Sequence, residues 1–122
     1  MIVYAFDVDE TLEISNGPVT LQMLMDLRIA GHIVGICGNM QMICRVPGWQ
    51  HLVSFLGQSF LPKHVFLHGL KINIPADDYV MVGNVHGELN SLGFICNSNC
   101  SEEAALAGWR FIRESDFAAG AR

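Results

Sequence analysis

The chain has few charged residues and no long apolar run, and both deficits limit what it can be. Charged residues make up 16% of the 122 positions and hydrophobic residues 51%, so a real core is expected rather than a disordered segment. No apolar stretch approaches the ~20 residues of a transmembrane helix, and no membrane partner is expected. The length predicts a single domain over residues 1–122.

Basic residues are scarce. Seven Lys and Arg residues stand against twelve Asp and Glu residues, a net charge of −5, which argues against nucleic acid as a partner. The N-terminal apolar run carries no basic residue and ends in acids, so no signal peptide is expected. The four cysteines predict reduced thiols and a cytoplasmic location. They are Cys37, Cys44, Cys96 and Cys100.

What the chain does have is a first apolar strand, residues 3–6, that ends in two carboxylates. Asp7 and Asp9 are two residues apart in an extended chain, so their side chains share one face while Val8 points the other way. Two like charges this close repel unless a cation or a shared proton relieves them, and Mg²⁺ fits because it prefers such oxygen ligands. The alternative is a helix N-terminus at which Asp9 and Thr11 only cap free amides.

The run Asp7-Val8-Asp9-Glu10-Thr11 after an N-terminal strand resembles the Asp-x-Asp-x-Thr motif of the haloacid-dehalogenase-like (HAD) phosphohydrolases. The resemblance implies that Asp7 is the nucleophile and that Asp9 protonates the leaving group and then activates water. Thr11 would support the turn beside the phosphate. The implied activity is that of a Mg²⁺-dependent phosphohydrolase, a phosphomonoesterase that acts through an aspartyl-phosphate.

The second family motif is altered. Residues 32–36 predict a second strand that ends in Cys37-Gly38-Asn39, where the family has Ser or Thr at the first of these positions. A thiol is a weak hydrogen-bond donor, so phosphate binding would depend on the backbone amides of Gly38 and Asn39. A reactive thiol at Cys37 is an alternative.

The third family motif is a lysine that ties the nucleophile to the transferred phosphate. The chain has only two lysines. Residues 63–67 are predicted as the third strand, and Lys71 beyond it is the first choice for this lysine. Lys63 is the alternative.

The fourth motif is altered as well. Residues 79–84 predict a fourth strand that ends in Gly83-Asn84, where the family has Gly-Asp, so the Mg²⁺ ligand Asn84 would bring no charge. Glu88 is the expected second acid of the metal site. Residues 85–100 look like an inserted loop, so Glu102 or Glu103 could replace Glu88.

Two further alternatives concern the inserted loop. A different register would place Asn97-Ser98 at the Gly-Asp position, after a strand over residues 93–96. The loop also contains His86, and with Cys96 and Cys100 this residue could form a zinc site.

Strands and helices alternate along the chain. A helix is predicted between Pro18 and Gly31, a helical region over residues 40–60, a helix and fifth strand over residues 104–112, and a terminal helix with Phe117 packed inward. The fold class is therefore α/β, a three-layer doubly wound (Rossmann-like) parallel sheet of about five strands. The resemblance implies the HAD-like strand order 5-4-1-2-3.

The carboxyl ends of parallel strands lie at one edge of the sheet, so the motif residues should meet there. These residues are Asp7, Asp9, Cys37, Lys71 and Asn84. The link over residues 13–17 has no room for the cap domain of larger relatives, so an open site is expected. The resemblance implies that capless members either act on macromolecules or borrow a neighbouring subunit as a lid, and the second alternative favours a homo-oligomer.

A second function remains open. With two of four motifs altered, the chain could bind a metal or phosphate in a regulatory role with little catalysis. Other classes fit less well. A response-regulator receiver lacks the Asp-x-Asp-x-Thr spacing after its first strand, and a dinucleotide-binding domain needs a glycine-rich turn that is absent here.

Overall fold

The computed structural model describes residues 1–57, 61–89, 93–96 and 99–122. Among these residues, no helix is long and apolar enough to cross a membrane. Strands and helices alternate in the order β1 (Ile2–Phe6), α1 (Leu21–Ile29), β2 (Ile33–Cys37), α2 (Met40–Ile43), β3 (Leu56–Gly57), α3 (Lys63–Asn73), β4 (Asp78–Gly83), α4 (Cys100–Ala107), β5 (Arg110–Arg113) and α5 (Glu114–Ala118).

The strands form one parallel sheet in the order β3-β2-β1-β4-β5. Strand β1 is central, with Val3 opposite Ile33 of β2 and Tyr79 of β4. Read from the other edge, the order is 5-4-1-2-3, but strand β3, at the edge, is not the segment that the sequence predicts as the third strand. The α/β class and the parallel sheet of five strands are confirmed, and both are compatible with a Rossmann-like fold.

Alternate residues of the central strands supply two hydrophobic cores, one on each face. Tyr4 and Phe6 pack with Leu24 of α1 and Phe117 of α5. The other core contains Leu67 of α3 and, from β1, β4 and α4, the residues Val3, Ala5, Met81 and Ala104. The strands are buried on both faces because helices cover both. The inward packing of Phe117, which has no exposed surface, is confirmed.

The prediction of a third strand over residues 63–67 is wrong, because this segment begins the eleven-residue helix α3. Phe66 and Leu70 of this helix, four positions apart, pack with the buried Leu67 in the core on this face of the sheet. A run as short as Val65 to Leu67 cannot by itself distinguish a strand from a helix.

The true third strand lies within the region predicted as helical over residues 40–60. That region contains the single turn α2, a 3-10 turn over Trp49–His51 and the two-residue strand β3. Within the part of the chain that the structure describes, strand β3 pairs through Ile36 with Leu56 and Cys37 with Gly57. An edge strand this short has no period of its own to detect.

Candidate functional site

Three strands end beside one another at the carboxyl edge of the sheet. Asp7 follows β1, Gly38 follows β2 and Asn84 follows β4. Since β1 lies between the other two, Asp7 occupies the centre of the edge. In open parallel sheets, ligands bind at such an edge.

Asp7 is a buried carboxylate with a donor on each oxygen. Its exposure is only 4%, and its backbone N–H continues the sheet by donating to the Val82 carbonyl. Lys63 Nζ donates to Oδ1 over 2.9 Å, and Asn84 Nδ2 approaches Oδ2 at 3.4 Å. Both oxygens are thereby held in fixed directions.

Lys63 is the first residue of α3, and its side chain is 22% exposed. Burial lowers the pKa of Lys63, but the charge of Asp7 and the thiol of Cys100 more than offset this, so the pKa is raised overall. Lys63 therefore remains a cation throughout the neutral range. It forms with Asp7 an ion pair largely screened from water.

Two glycines allow the backbone to approach Asp7 closely. A Cβ atom on Gly38 would lie 2.5 Å from Asp7 Oδ1, and one on Gly83 would lie 3.3 Å from Asp7 Cβ. Any side chain at Gly38 would therefore collide with the carboxylate. Of the predicted phosphate-binding residues, Gly38 lies against Asp7 itself.

Asp9 lies on a tight turn after β1. Its exposed carboxylate Oδ1 accepts hydrogen bonds from Ser15 Oγ at 3.1 Å and Asn39 Nδ2 at 3.2 Å. The next residue, Glu10, has a left-handed backbone with φ of 59°. The turn depends on Gly17, where a Cβ atom would overlap the Thr11 backbone at 2.0 Å.

Asn84 joins the two acids. It is 1% exposed, and its Nδ2 donates to the backbone carbonyl of Asp9 over 2.9 Å as well as approaching Asp7. Thr11, fully buried, lies with Oγ1 at 3.5 Å from Asn84 Oδ1. Thr11 therefore supports the Asn84 amide from behind.

With the Asn84 amide turned over, the oxygen atoms around it have the chemistry and spacing of Mg²⁺ ligands. A half-turn of the amide would exchange its nitrogen and oxygen and bring three oxygens together, from Asp7, Asn84 and the Asp9 backbone. The separations of 2.9 and 3.4 Å match the roughly 3 Å between adjacent ligands of an octahedral ion with ~2.1 Å bonds. The Thr11 hydroxyl can donate or accept, so it suits either orientation.

Lys71 does not lie at this site, so its predicted convergence with Asp7 is wrong. Its Nζ donates to the Gly108 carbonyl over 2.8 Å and lies 5.7 Å from the Tyr79 ring centre, beside the start of β4. The physical reason is the helix: eight residues at 1.5 Å each carry α3 about 12 Å away from Lys63. The alternative, Lys63, is the lysine that contacts Asp7.

The acids proposed beside Asn84 have other partners. Glu88 is ion-paired with Arg113 at 2.7 Å, Glu103 binds His64, and Glu102 is exposed. Among residues 1–57, 61–89, 93–96 and 99–122, no three His, Cys, Asp or Glu side chains are grouped to hold a metal, which leaves the zinc alternative without a site. The rival register at 97–98 falls outside the described residues.

Cys37 ends β2 and is 2% exposed, packed in the core that α3 and α4 cover. Burial, opposed by Lys63, raises the pKa of the Cys37 thiol to about 12. The thiol is therefore neutral at physiological pH, which disfavours the alternative of a reactive thiolate.

No protein-family model matches the sequence, and no curated protein or solved structure matches it significantly. The fold and the site therefore define the class: an α/β protein with a parallel sheet, a buried aspartate at the end of its central strand and a lysine paired with it.

One contact of this site, between Cys100 and Lys63, is not predicted by the sequence. Cys100 Sγ lies 3.3 Å from Lys63 Nζ, although Cys100 entered only as a candidate zinc ligand. The sequence feature that could have indicated this contact is the position of Cys100, four residues before the helix predicted to begin at residue 104. The N-terminus of a helix at a sheet edge often faces a binding site.

Proposed function

We propose that the chain is a Mg²⁺-dependent phosphohydrolase that hydrolyses phosphomonoesters through an aspartyl-phosphate on Asp7. The observation that carries the proposal is the buried Asp7 carboxylate at the end of the central strand, 2.9 Å from the Lys63 ammonium. A carboxylate held so firmly between a lysine and an amide is suited to meet an electrophile in one fixed direction.

In the first step, an Asp7 oxygen forms a bond to phosphorus, and the bond from phosphorus to the ester oxygen breaks. Asp9, in its protonated form, gives its proton to the departing oxygen. Its exposed position beside Asn39 and Ser15 suits a group that must reach the substrate and exchange protons with water.

In the second step, water attacks the phosphorus of the aspartyl-phosphate, and Asp9 accepts a proton from that water. The bond between phosphorus and Asp7 breaks, which restores the carboxylate and releases inorganic phosphate. Lys63 stabilises negative charge in both steps, and the backbone amides of Gly38 and Asn39 are the remaining candidate donors to phosphate oxygens.

Asp7, the Asp9 backbone carbonyl and Asn84 are the residues that would hold Mg²⁺. When bound, the ion would neutralise charge on the phosphate oxygens. Because Asn84 is neutral, this site has one negative charge fewer than one with aspartate at that position, so we expect weak Mg²⁺ binding.

The proposal is tested with a panel of phosphate esters, each assayed with and without Mg²⁺. We expect Mg²⁺-dependent release of phosphate that falls by about a thousandfold or more in Asp7→Asn, as for loss of a nucleophile. The control is Asp26→Asn, the same change at an exposed carboxylate on α1. Equal turnover by Asp7→Asn and the unmodified chain would reject the proposal.

A second candidate is phosphate binding without turnover, in a regulatory role. The observation that favours it is the Asn84 amide, which as it stands donates to Asp9 and approaches Asp7 without requiring a metal. In that case inorganic phosphate would raise the melting temperature of the chain, whereas no ester in the panel would be hydrolysed.

A further inference from the structure

The first turn of α4 holds the first two residues of α3. Cys100 Sγ is the acceptor for Lys63 Nζ at 3.3 Å. One turn along the same helix face, Glu103 Oε2 accepts from the backbone N–H of His64 and also contacts His64 Nδ1, each at 2.6 Å. Asn99 Nδ2 holds the other Glu103 oxygen at 3.3 Å. These contacts fix where the Lys63 side chain starts and where its ammonium ends.

Cys100 is itself closely packed. It has no exposed surface, and a Cβ atom on Gly83 would lie 2.8 Å from both its Cβ and its Sγ. Cys100 therefore rests directly on the end of β4, next to the strand that presents Asp7. The thiol is therefore enclosed between the end of β4 and the Lys63 ammonium.

A lysine side chain has four rotatable bonds and about 2 kcal/mol of rotamer entropy, so one hydrogen bond does not fix the position of its ammonium group. Asp7 and Cys100 together engage two of the three N–H groups of Lys63. Within the described residues this leaves the third N–H for an oxygen that enters from the solvent side, where Lys63 is 22% exposed.

We propose that Cys100, supported by Glu103, is a positioning residue for Lys63. It aims the ammonium at Asp7 and at the position of the incoming phosphate oxygen. The effect of Cys100 on catalysis rests on the proposed phosphohydrolase function. Its effect on the Lys63 ammonium does not, and this allows the two claims to fail separately.

The direct test measures how reactive the Lys63 amine is in the whole purified chain. A limiting amount of an amine-reactive acetyl ester is added, and acetylation is mapped on peptides. Since the chain has only two lysines, Lys71 is an internal reference. We expect Lys63 to react more slowly than Lys71, and Cys100→Ala to raise the Lys63 to Lys71 ratio about fivefold, the factor equivalent to one ordinary hydrogen bond.

Two variants separate positioning from packing. Cys100→Ser retains an acceptor of similar size, so it should keep the ratio near the unmodified value. Cys96→Ala truncates another thiol that is 2% exposed but outside the core around Lys63, and it should leave the ratio unchanged. If Cys100→Ala does not fold, Glu103→Gln provides the same test, because it weakens the hold on His64 and should also raise the ratio.

The kinetic counterpart uses the ester that the chain hydrolyses fastest. We expect Cys100→Ala to lower kcat about tenfold with little change in KM, and Cys100→Ser to restore most of it. A changed labelling ratio in a chain without phosphatase activity would support the positioning and reject the proposed function. An unchanged ratio in Cys100→Ala and Glu103→Gln would overturn the positioning whatever the activity.

Discussion

The ion pairs at the amino edge of the sheet are more exposed than the ion pair at the centre of its carboxyl edge. At the amino edge, ion pairs join the N-terminus to Asp77 and Arg110 to Asp78, and the side chains in both pairs are at least 36% exposed. At the carboxyl edge, Glu88 and Arg113 at the end of β5 form a comparably exposed pair, whereas Asp7 and Lys63 at the centre form a pair in which the side chains are 5% and 22% exposed.

The difference matters because exposed and buried pairs have different energetic consequences. Surface pairs contribute about 0–1 kcal/mol and cost little to form. A screened pair must first lose its hydration, at several kcal/mol per ion, and an apolar pair of similar size would often be as stable. Stability is therefore a weak explanation for the pairing of Asp7 with Lys63, and the proposed phosphohydrolase chemistry would supply a stronger one.

The largest expected difference is between the effects of the two lysines on catalysis. Lys63→Ala removes the cation at the carboxyl edge, so we expect the rate of ester hydrolysis to fall about 10²- to 10³-fold, as for loss of one charge-stabilising donor. Lys71→Ala, at the other end of the same helix, should leave the rate unchanged. Steady-state kinetics on both variants checks this, and equal losses would mean that Lys63 has no special position.

The stability of the two edges provides the next test. Asp7→Ala leaves Lys63 without its carboxylate, and we expect the free energy of unfolding to fall by about 2 kcal/mol, less than for a fully buried pair because Lys63 is partly exposed. Asp78→Ala at the amino edge should cost no more than about 1 kcal/mol. Urea unfolding measures both, and the reverse ranking would show that exposure does not separate these pairs.

Crowding at the carboxyl edge predicts opposite effects of alanine at two glycines. Gly38→Ala places a Cβ atom against Asp7 Oδ1, and overpacking of this kind costs about 1–3 kcal/mol. Gly69→Ala, in α3 with nothing within 4 Å of the new atom, should stabilise by about 0.5–1 kcal/mol. Melting temperatures that shift in the same direction would contradict the crowding seen at Gly38.

The Asn84→Asp variant tests whether Asn84 belongs to the proposed Mg²⁺ site. Without Mg²⁺, the added carboxylate would repel Asp7, so we expect a lower melting temperature than that of the unmodified chain. With millimolar Mg²⁺, the variant should gain more stability than the unmodified chain, by about 1 kcal/mol or more. Thermal melts with and without the ion measure this. Equal Mg²⁺ responses would remove Asn84 from the metal site.

The smallest effect concerns Glu114, which follows β5 at the carboxyl edge and is 1% exposed. Burial raises the pKa of its carboxyl group, an effect that a hydrogen bond from the backbone and the charge of Arg113 only partly oppose. The folded state therefore binds the proton more tightly than the unfolded chain, so Glu114 lowers stability as pH rises above about 4.3, the unfolded value. We expect Glu114→Gln to be more stable than the unmodified chain at pH 7 by up to about 1 kcal/mol.

That advantage should shrink toward pH 4, where the carboxyl group is mostly protonated in both states. Urea midpoints at the two pH values measure it, and the exposed Glu102→Gln is the matched control. A stability difference that is the same at both pH values would contradict the effect of burial on Glu114.

The sequence predicts the central part of the fold because its strands are long and apolar. Residues 3–6 and 79–83 are apolar runs that end in polar residues, and this pattern alone locates β1 and β4, and with them Asp7 and Asn84. The two-residue strand β3 has no such run. Its pairing depends on contacts with Ile36 and Cys37, which no local pattern reveals.

The misplacement of the lysine follows from the same limit. If residues 63–67 form a strand, the lysine beyond its carboxyl end is Lys71. These residues instead begin a helix at the sheet edge, and the lysine at its first position, Lys63, is the one that contacts Asp7. The contact of Cys100 with Lys63 joins positions 37 residues apart. Such a contact depends on how α3 and α4 pack and not on either segment alone.

The central claim is that Asp7 carries the phosphoryl group, and trapping that intermediate tests it most directly. The chain would be mixed with its best ester and Mg²⁺, quenched in acid and reduced with borohydride, which converts an aspartyl-phosphate to homoserine. The account predicts homoserine at position 7, found by peptide mass spectrometry, and none in Asp7→Asn. Turnover of the ester with Asp7 recovered unmodified, or homoserine at another aspartate, would contradict it.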